Sequence, residues 1–183
     1  MSSVTPTTFP TECATRTPTG TSIESTAILA APFDLCLGGD TDASAHCVRL
    51  IGDLRGRADL VLDRPARHNA FNADVIRALL EGLRRLREWP SLRVMVLRST
   101  GRHFSSGADL DWMREQGQAS HADNLRDAAE LARLMRELDE FPAPVIARVQ
   151  GSAFGGALGL IACCDLAIGT PASQFCLSEV KLG

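Results

Sequence analysis

Two glycine-containing segments and one glutamate offer groups from which an anion site and a proton-transfer site could be built. Residues 105–109 read SSGAD, and residues 154–158 read FGGAL at the predicted start of a short helix. Glycine allows a loop to turn sharply, and the unbonded N–H groups at a helix start favour a negative charge. Glu179, in the segment LSEVKLG, could give or take a proton if burial raised its pKa toward neutrality.

Each of these features, taken alone, has a simpler structural explanation. The glycine pair could form a plain tight turn, SSGAD could be a loop that ends in an Asp-capped helix, and Glu179 could lie at the surface where a strand ends. His68 and His103 lack a nucleophile motif such as GxSxG, so we assign neither of them to catalysis. The functional interpretation therefore depends on the segments occurring together.

The hydrophobic pattern from about residue 48 onward predicts strands that alternate with helices. Predicted strands cover residues 58–63, 93–98, 145–149, 165–169 and 174–177. Predicted helices cover residues 72–89, 124–140 and 157–162, with a loop at 100–109 and a turn at 151–156. This alternation is typical of an α/β fold with largely parallel strands. The periodicity alone fits a doubly wound nucleotide-binding domain equally well, but no GxGxxG motif follows a predicted strand.

Both long helices carry apolar residues at intervals of three and four, which predicts one buried face for each. The first stripe is Val75, Ile76, Leu79, Leu80, Leu83 and Leu86, and the second is Leu125, Ala128, Leu131, Leu134, Met135 and Leu138. Asn72 is a predicted N-cap of the first helix, and Pro90 follows its end. We expect both stripes to belong to the core and not to a ligand surface.

Composition excludes several classes of function. The chain has 183 residues, of which 45% are hydrophobic, and a net charge of −3 without a basic block, so we expect no nucleic-acid partner. The longest apolar region, residues 144–168, is interrupted by Arg148, Gln150 and Asp165, which predicts no membrane span. The six cysteines show neither regular spacing nor a CxxC pair, so we expect no metal site and no disulfide framework. Reduced thiols fit a cytoplasmic protein.

The composition changes near residue 47. Residues 1–46 are rich in Thr, Ser, Ala and Pro without a clear period, which predicts a disordered N-terminal extension. This segment has few basic residues and no compact apolar run near its start, so it matches a secretory signal poorly. Residues 47–183 form the predicted folded domain.

Four segments, in order and spacing, resemble the crotonase (enoyl-CoA hydratase/isomerase) superfamily. They are LDRPARHNAFN at 62–72, GRHFSSGADLDWM at 101–113, PAPVIARVQGSAFGGALGLIACCDLAIG at 142–169 and ASQFCLSEVKLG at 172–183. The resemblance covers about residues 48–183 and implies an α/β, crotonase-like ββα spiral core. Because the family normally continues beyond the last segment, it also implies a core that is incomplete at the C-terminus. The sequence of these segments is most similar to the methylglutaconyl-CoA and carboxygeranoyl-CoA hydratase branch. Relatives in that branch act on branched or carboxylated enoyl-CoA thioesters of leucine or terpenoid breakdown.

The resemblance also implies roles for individual residues. The backbone N–H groups of Ala108 and Gly156 would form an oxyanion hole for a thioester enolate, and Glu179 would be the catalytic acid and base. The substrate, an acyl-CoA, would be bound by Arg67, His68, Ala70, Ser106, Ala108, Asp109, Leu110, Gly155 and Gly156. Arg102 and Arg114 are weaker candidates for a phosphate contact. The CoA thioester is the substrate, so no further cofactor is expected, and full-length relatives are expected to be homotrimers or hexamers.

The sequence departs from the family pattern at one position. Typical hydratases carry a second glutamate shortly after the glycine pair, and that position is Gly159 here. The function that the resemblance implies is an enoyl-CoA hydratase, which adds water to the α,β-double bond. A double-bond isomerase and a non-catalytic acyl-CoA-binding module remain open alternatives because Gly159 supplies no carboxylate.

Overall fold

The computed structural model describes residues 32–38, 46–177 and 180. Its main sheet has six strands in the order β1-β2-β3-β4-β5-β7. These are β1 (Phe33–Leu37), β2 (Val48–Gly52), β3 (Arg57–Leu62), β4 (Val94–Ser99), β5 (Val145–Val149) and β7 (Leu166–Gly169). The pairings β1–β2 and β2–β3 are antiparallel and the other three are parallel. A second, two-stranded parallel sheet joins β6 (Ser152–Phe154) to β8 (Gln174–Cys176).

Four α-helices accompany the strands in this part of the chain. They are α1 (Ala73–Arg87), α2 (Leu110–Gln116), α3 (His121–Asp139) and α4 (Ala157–Ala162). The α/β class predicted from the sequence is therefore confirmed. Helix α1 begins where its cap predicts, because Asn72 Oδ1 accepts a hydrogen bond from the Val75 N–H at 3.1 Å.

The core lies between one face of the main sheet and α1, with α3 packed against α1. Alternate residues of β3 and β4, including Leu60 and Leu97, point to this face. From α1 the core receives all six residues predicted for its apolar face, Val75, Ile76, Leu79, Leu80, Leu83 and Leu86. Leu83 is completely buried, so the helical stripe is part of the core, as predicted.

The predicted disordered extension contains an ordered strand. Residues 33–37, which form β1, pair with β2 over their whole length, and Phe33 and Leu37 are buried. Phe33 also meets Trp89 edge to face, with the ring centroids 5.0 Å apart. Five residues within a Thr- and Pro-rich segment are too few to produce a visible period, and this strand is stabilised by non-local contacts. The rest of the predicted extension, residues 1–31 and 39–45, lies outside the described residues.

The predicted apolar face of α3 is only partly buried. Leu134 and Leu138 are in the core, and Leu131 and Met135 pack against it. In the first half of the helix, however, Leu125 is 63% exposed and Ala128 is also exposed. The prediction is wrong for this half because the described core contacts only the C-terminal half of α3. The helix also begins at His121, three residues before the predicted start.

The region around the two glycine-containing segments holds two elements that the sequence did not predict. Strand β6 lies within the predicted turn at 151–156, and α2 directly follows the predicted loop at 100–109. None of the helices within the described ranges is both long and apolar enough to cross a membrane.

Candidate functional site

The loop after β3 and the loop after β4 are joined by one buried asparagine. Asn69 is 1% exposed, and its Oδ1 accepts a hydrogen bond from the Arg64 N–H at 2.9 Å. Its Nδ2 donates to the carbonyl oxygens of Thr100 and His103, at 2.8 and 2.9 Å. Asn69 has a φ of 54°, a left-handed conformation that asparagine tolerates better than most residues. Asn69 therefore fixes the segment at residues 62–72 to the segment at residues 101–113.

Phe71 and Ala108 form an isolated parallel β-bridge at the end of these loops. The Phe71 N–H donates to Gly107 O, and the Asp109 N–H donates to Phe71 O, both at 3.0 Å. Peptide groups alternate in direction along an extended strand, so the N–H of Ala108 points away from Phe71. It donates no hydrogen bond to any residue that the structure describes.

The second glycine-containing segment connects β6 to α4. Gly155 has a φ of +55°, and its N–H donates to Cys176 O in β8 at 2.9 Å. Gly156 is the N-cap residue of α4, so the glycine pair opens a helix and is more than a tight turn. The Gly156 N–H, like that of Ala108, has no acceptor within residues 32–38, 46–177 and 180.

The two glycine-containing segments are in direct contact. The Ser105 N–H donates to Ser152 O at 3.2 Å, and the Phe154 N–H donates to Ser105 O at 3.0 Å. Gly107 has a φ of +86°, and a methyl group there would lie 2.8 Å from Phe154 O. In both segments, the predicted donor directly follows a glycine with positive φ. Two unbonded N–H groups in contacting loops can together stabilise an oxyanion.

An open concavity of about 450 Å³ lies beside the first of these segments. Its lining residues are Ala66, Arg67, His68, Ala70, Ser106, Ala108, Asp109, Leu110, Asp111 and Arg114. The structure thus brings together seven of the nine predicted binding residues, Arg67, His68, Ala70, Ser106, Ala108, Asp109 and Leu110. Gly155 and Gly156 lie beyond this lining. Sequence reasoning missed Asp111, although its spacing of three from Arg114 was a signal of a helical ion pair.

Three ion pairs, one buried and two half exposed, involve residues that line this concavity. Arg64 Nη1 lies 3.4 Å from Asp109 Oδ2, and both side chains are almost fully buried. Arg64 Nη1 also donates to Ala70 O at 2.8 Å, and Asp109 Oδ1 caps α2 by accepting from the Asp111 N–H. By contrast, the Asp111 carboxylate faces Arg67 and Arg114 in half-exposed pairs at 3.0 and 2.6 Å. Exposed pairs contribute little free energy, so an anionic ligand could compete for these arginines.

His68, which lines the concavity, forms an aromatic pair with His103. The rings of His68 and His103 meet edge to face, with centroids 5.3 Å apart. Burial, and then the nearby positive charges of Arg102 and His68, lower the pKa of His103 below its usual value. Arg102, the other predicted phosphate candidate, is not among the residues that line the concavity.

Comparison with known proteins identifies the family. The sequence pattern described as "Enoyl-CoA hydratase/isomerase" matches residues 55–183. The chain belongs to the enoyl-CoA hydratase/isomerase family. Its α/β fold with a central sheet matches a crystal structure of an enoyl-CoA hydratase from Shewanella pealeana, with a TM-score of 0.73 and 47% identity. That match covers 76% of this chain and 52% of the other.

Comparison with two curated relatives shows what share of each relative's length this chain matches. The bovine "Enoyl-CoA hydratase domain-containing protein 2, mitochondrial" is 37% identical over 135 residues, which is 73% of this chain and 45% of the relative. An enoyl-CoA isomerase/hydratase from Mycosarcoma maydis is 34% identical over 140 residues, or 72% of this chain and 50% of the relative. The chain therefore spans about half the length of the relatives that it matches.

Glu179, the predicted acid–base residue, lies outside the described residues. The described part reaches Leu177 and includes Val180. Strand β8 ends at Cys176, which is in register with Phe154, two residues before Gly156. In the sequence, Glu179 follows the last residue of β8 by three positions. Strand β8 pairs with β6, which leads into the second glycine-containing segment.

Gly159 stands where the family resemblance predicts a second glutamate, and the side chain of Met135 lies next to it. A methyl group on Gly159 would lie 2.9 Å from Met135 Cε and 3.2 Å from Met135 Sδ. Met135 belongs to α3 and packs against the core, and its sulfur lies 4.0 Å from Cys163 Sγ. The space that a side chain at position 159 would enter is therefore lined by soft, weakly polar sulfur groups.

Replacing Gly159 with glutamate should destabilise the fold by about 1 to 3 kcal/mol, because the new side chain must displace Met135. Adding Met135→Ala should recover most of that loss, and the midpoint of urea denaturation measures both effects. Gly117→Glu is the control, since a methyl group there would meet Arg114 O at an ordinary 3.4 Å. An unchanged midpoint for Gly159→Glu would show that Met135 does not fill this space.

No group of three or more His, Cys, Asp or Glu side chains within the described ranges is arranged to hold a metal ion. The expectation that the chain needs no metal and no separate cofactor stays a prediction from the sequence.

Proposed function

We propose that this chain belongs to an enoyl-CoA hydratase, which adds water to the α,β-double bond of an enoyl-CoA. The observation that supports this most is the pair of unbonded N–H groups, on Ala108 and Gly156, in two contacting loops. In this proposal both groups donate to the thioester oxygen. The oxygen becomes negatively charged as hydroxide adds to the β-carbon, and each donor stabilises that transition state by about 2.7–4 kcal/mol.

The proton in this scheme is moved by Glu179. Water bonds through its oxygen to the β-carbon and loses one proton to the carboxylate of Glu179. The resulting carboxyl group then delivers a proton to the α-carbon of the enolate, which returns Glu179 to its carboxylate form. The product is a 3-hydroxyacyl-CoA, and the net change is the addition of one water molecule. Support for this assignment comes from the LSEVKLG segment and from the pairing of Cys176 with Phe154 beside the donor segment.

The CoA moiety is proposed to lie along the concavity beside Ala108. Arg67 and Arg114 are exposed cations at this concavity, and each forms a weak surface pair with Asp111. A CoA phosphate can therefore attract these guanidinium groups at little cost to the fold. Ala70 and Leu110 supply apolar surface for the pantetheine chain.

The acyl group we propose is branched or carboxylated. The support is the sequence of residues 154–160 (FGGALGL), 163–169 (CCDLAIG) and 175–180 (FCLSEV), which is most similar to the methylglutaconyl-CoA and carboxygeranoyl-CoA branch.

For the whole protein we propose a homotrimer or hexamer, as expected for full-length relatives, with neither nucleic acid nor membrane as a partner. We also propose a cytoplasmic location, because the spacing of the six cysteines predicts no disulfide framework and reduced thiols fit the cytoplasm. Cell fractionation would test this location.

The second candidate is a double-bond isomerase, and Gly159 is the observation that favours it. An isomerase moves one proton between two carbons, so a single carboxylate is sufficient. Among the described residues, the atoms within 4 Å of a methyl group on Gly159 belong to Met135, and none of them is a carboxylate oxygen. The name of the relative from Mycosarcoma maydis combines both activities.

A spectrophotometric assay tests the proposed function. Crotonyl-CoA and 3-methylglutaconyl-CoA should lose their enoyl thioester absorbance with this chain, and mass spectrometry should find a product heavier by one water. A product of unchanged mass with a shifted double bond would favour the isomerase. Binding of the thioester without any turnover would favour the non-catalytic module.

A further inference from the structure

Phe71 is placed between the two segments that carry the proposed oxyanion donors. It is 2% exposed, and it follows Ala70 at the edge of the concavity. Its backbone N–H and carbonyl oxygen hold the carbonyl of Gly107 and the N–H of Asp109, both at 3.0 Å. These two bonds bracket Ala108 from both sides. The backbone of Phe71 therefore fixes the direction in which the Ala108 N–H points.

The ring of the same residue contacts the other donor. A methyl group on Gly156 would lie 2.8 Å from Phe71 Cζ and 3.4 Å from Cε2. The edge of the ring thus lies directly over the Cα of Gly156, at a position where the chain allows no side chain. Because the ring is rigid and buried, it limits how closely the Gly156 segment approaches the Ala108 segment.

We propose that Phe71 is a positioning residue that sets the separation of the two donor N–H groups, with its backbone holding one donor and its ring spacing the other. This rests on the proposed function, because the separation matters only if both groups bind one oxygen. Such donors act at 2.7–3.1 Å from the oxyanion, and a displacement of about 1 Å can lower a rate about 100-fold. Phe71 touches no reacting atom in this account.

The first test is Phe71→Leu, which keeps the backbone bonds and an apolar side chain but removes the ring from Gly156. We expect kcat to fall about 10- to 100-fold while KM changes less than about threefold, because transition-state stabilisation is lost and binding is kept. The infrared carbonyl stretch of the bound thioester should also shift back toward its frequency in water. This shift reports donor alignment directly and does not require turnover.

Phe33→Leu is the matched control. Phe33 is also a buried phenylalanine whose ring lies over a glycine, since a methyl group on Gly52 would be 2.5 Å from its ring. It lies in β1, away from the donor segments. We expect a similar loss of stability in both variants, but an unchanged carbonyl stretch and kcat for Phe33→Leu.

A double-mutant cycle tests the contact itself. Gly156→Ala alone should lower kcat, because its methyl group pushes against the Phe71 ring. Combined with Phe71→Leu, the same methyl group has room, so the double variant should be more active than the product of the two single effects predicts. Strictly multiplicative effects would overturn the proposal, as would a carbonyl stretch that Phe71→Leu leaves unchanged. A wild-type chain that binds the thioester without shifting its carbonyl stretch would overturn the proposed function and this inference together.

Discussion

Glu179→Gln should lower the turnover of enoyl-CoA by about 100- to 10,000-fold, the range for removal of a general acid–base group. Glutamine keeps the size of the side chain and its ability to accept a hydrogen bond, but it cannot exchange a proton with the α-carbon at neutral pH. The expected result is loss of kcat with little change in thioester binding. Loss of enoyl absorbance measures the first, and calorimetric titration with a non-reactive acyl-CoA measures the second.

Glu140→Gln is the control for this variant. Glu140 is an exposed residue at the C-terminal end of α3, and its recorded cap contacts are made by its backbone N–H. We expect it to leave both kcat and binding unchanged. If Glu179→Gln turned over substrate as fast as Glu140→Gln, Glu179 would not be the acid–base residue. If neither these variants nor the wild type turned over substrate while all three bound it, the non-catalytic module would be favoured.

The elements that the sequence predicted correctly are those whose local pattern and tertiary packing agree. Helix α1 combines a capping asparagine with a stripe of leucines that the sheet buries. Strands β3 and β4 are apolar on alternate positions and pair along their whole length. Propensity, period and burial favour the same structure in these segments, so each signal strengthens the others.

The elements that the sequence missed are short or are stabilised by distant residues. Helix α2 has seven residues, and its Leu110 is 67% exposed, so it lacks the buried stripe from which a helix is predicted. Strands β1, β2 and β6 were also missed. They are stabilised by pairing with other strands, β1 with β2, β2 with β3 and β6 with β8, which a local pattern does not reveal. The exposed half of α3 shows the reverse error, since its apolar stripe is present but no described part of the chain covers it.

For the site, the resemblance predicted which residues meet but not why they meet. Seven predicted binding residues line one concavity, although they come from two loops about 40 residues apart. The bridge between Phe71 and Ala108, which directs the donor N–H outward, is a backbone feature that no residue type indicates. The buried pair of Arg64 and Asp109 joins residues 45 positions apart, and each would be expected at the surface from its type alone.

That buried pair gives the largest stability effect we expect within the described residues. Asp109→Asn should lower the free energy of unfolding by about 3 kcal/mol, because the Arg64 guanidinium stays buried and loses one of its charged partners. Asparagine caps helices as well as aspartate does, so the cap of α2 is kept and the charge alone is removed. Urea denaturation with an unchanged slope would attribute the loss to the folded state.

Asp111→Asn provides the comparison two residues away. Asp111 also faces arginines, but its carboxylate and their guanidinium groups are half exposed, so we expect a loss of no more than about 1 kcal/mol. High salt should reduce this small effect and leave that of Asp109→Asn nearly unchanged, because screening acts mainly on exposed charges. Equal losses in the two variants would mean that Arg64 is stabilised by its bond to Ala70 O and by its surroundings. The loops that carry Ala70 and Ala108 would then be held together by Asn69 and by the bridge between Phe71 and Ala108.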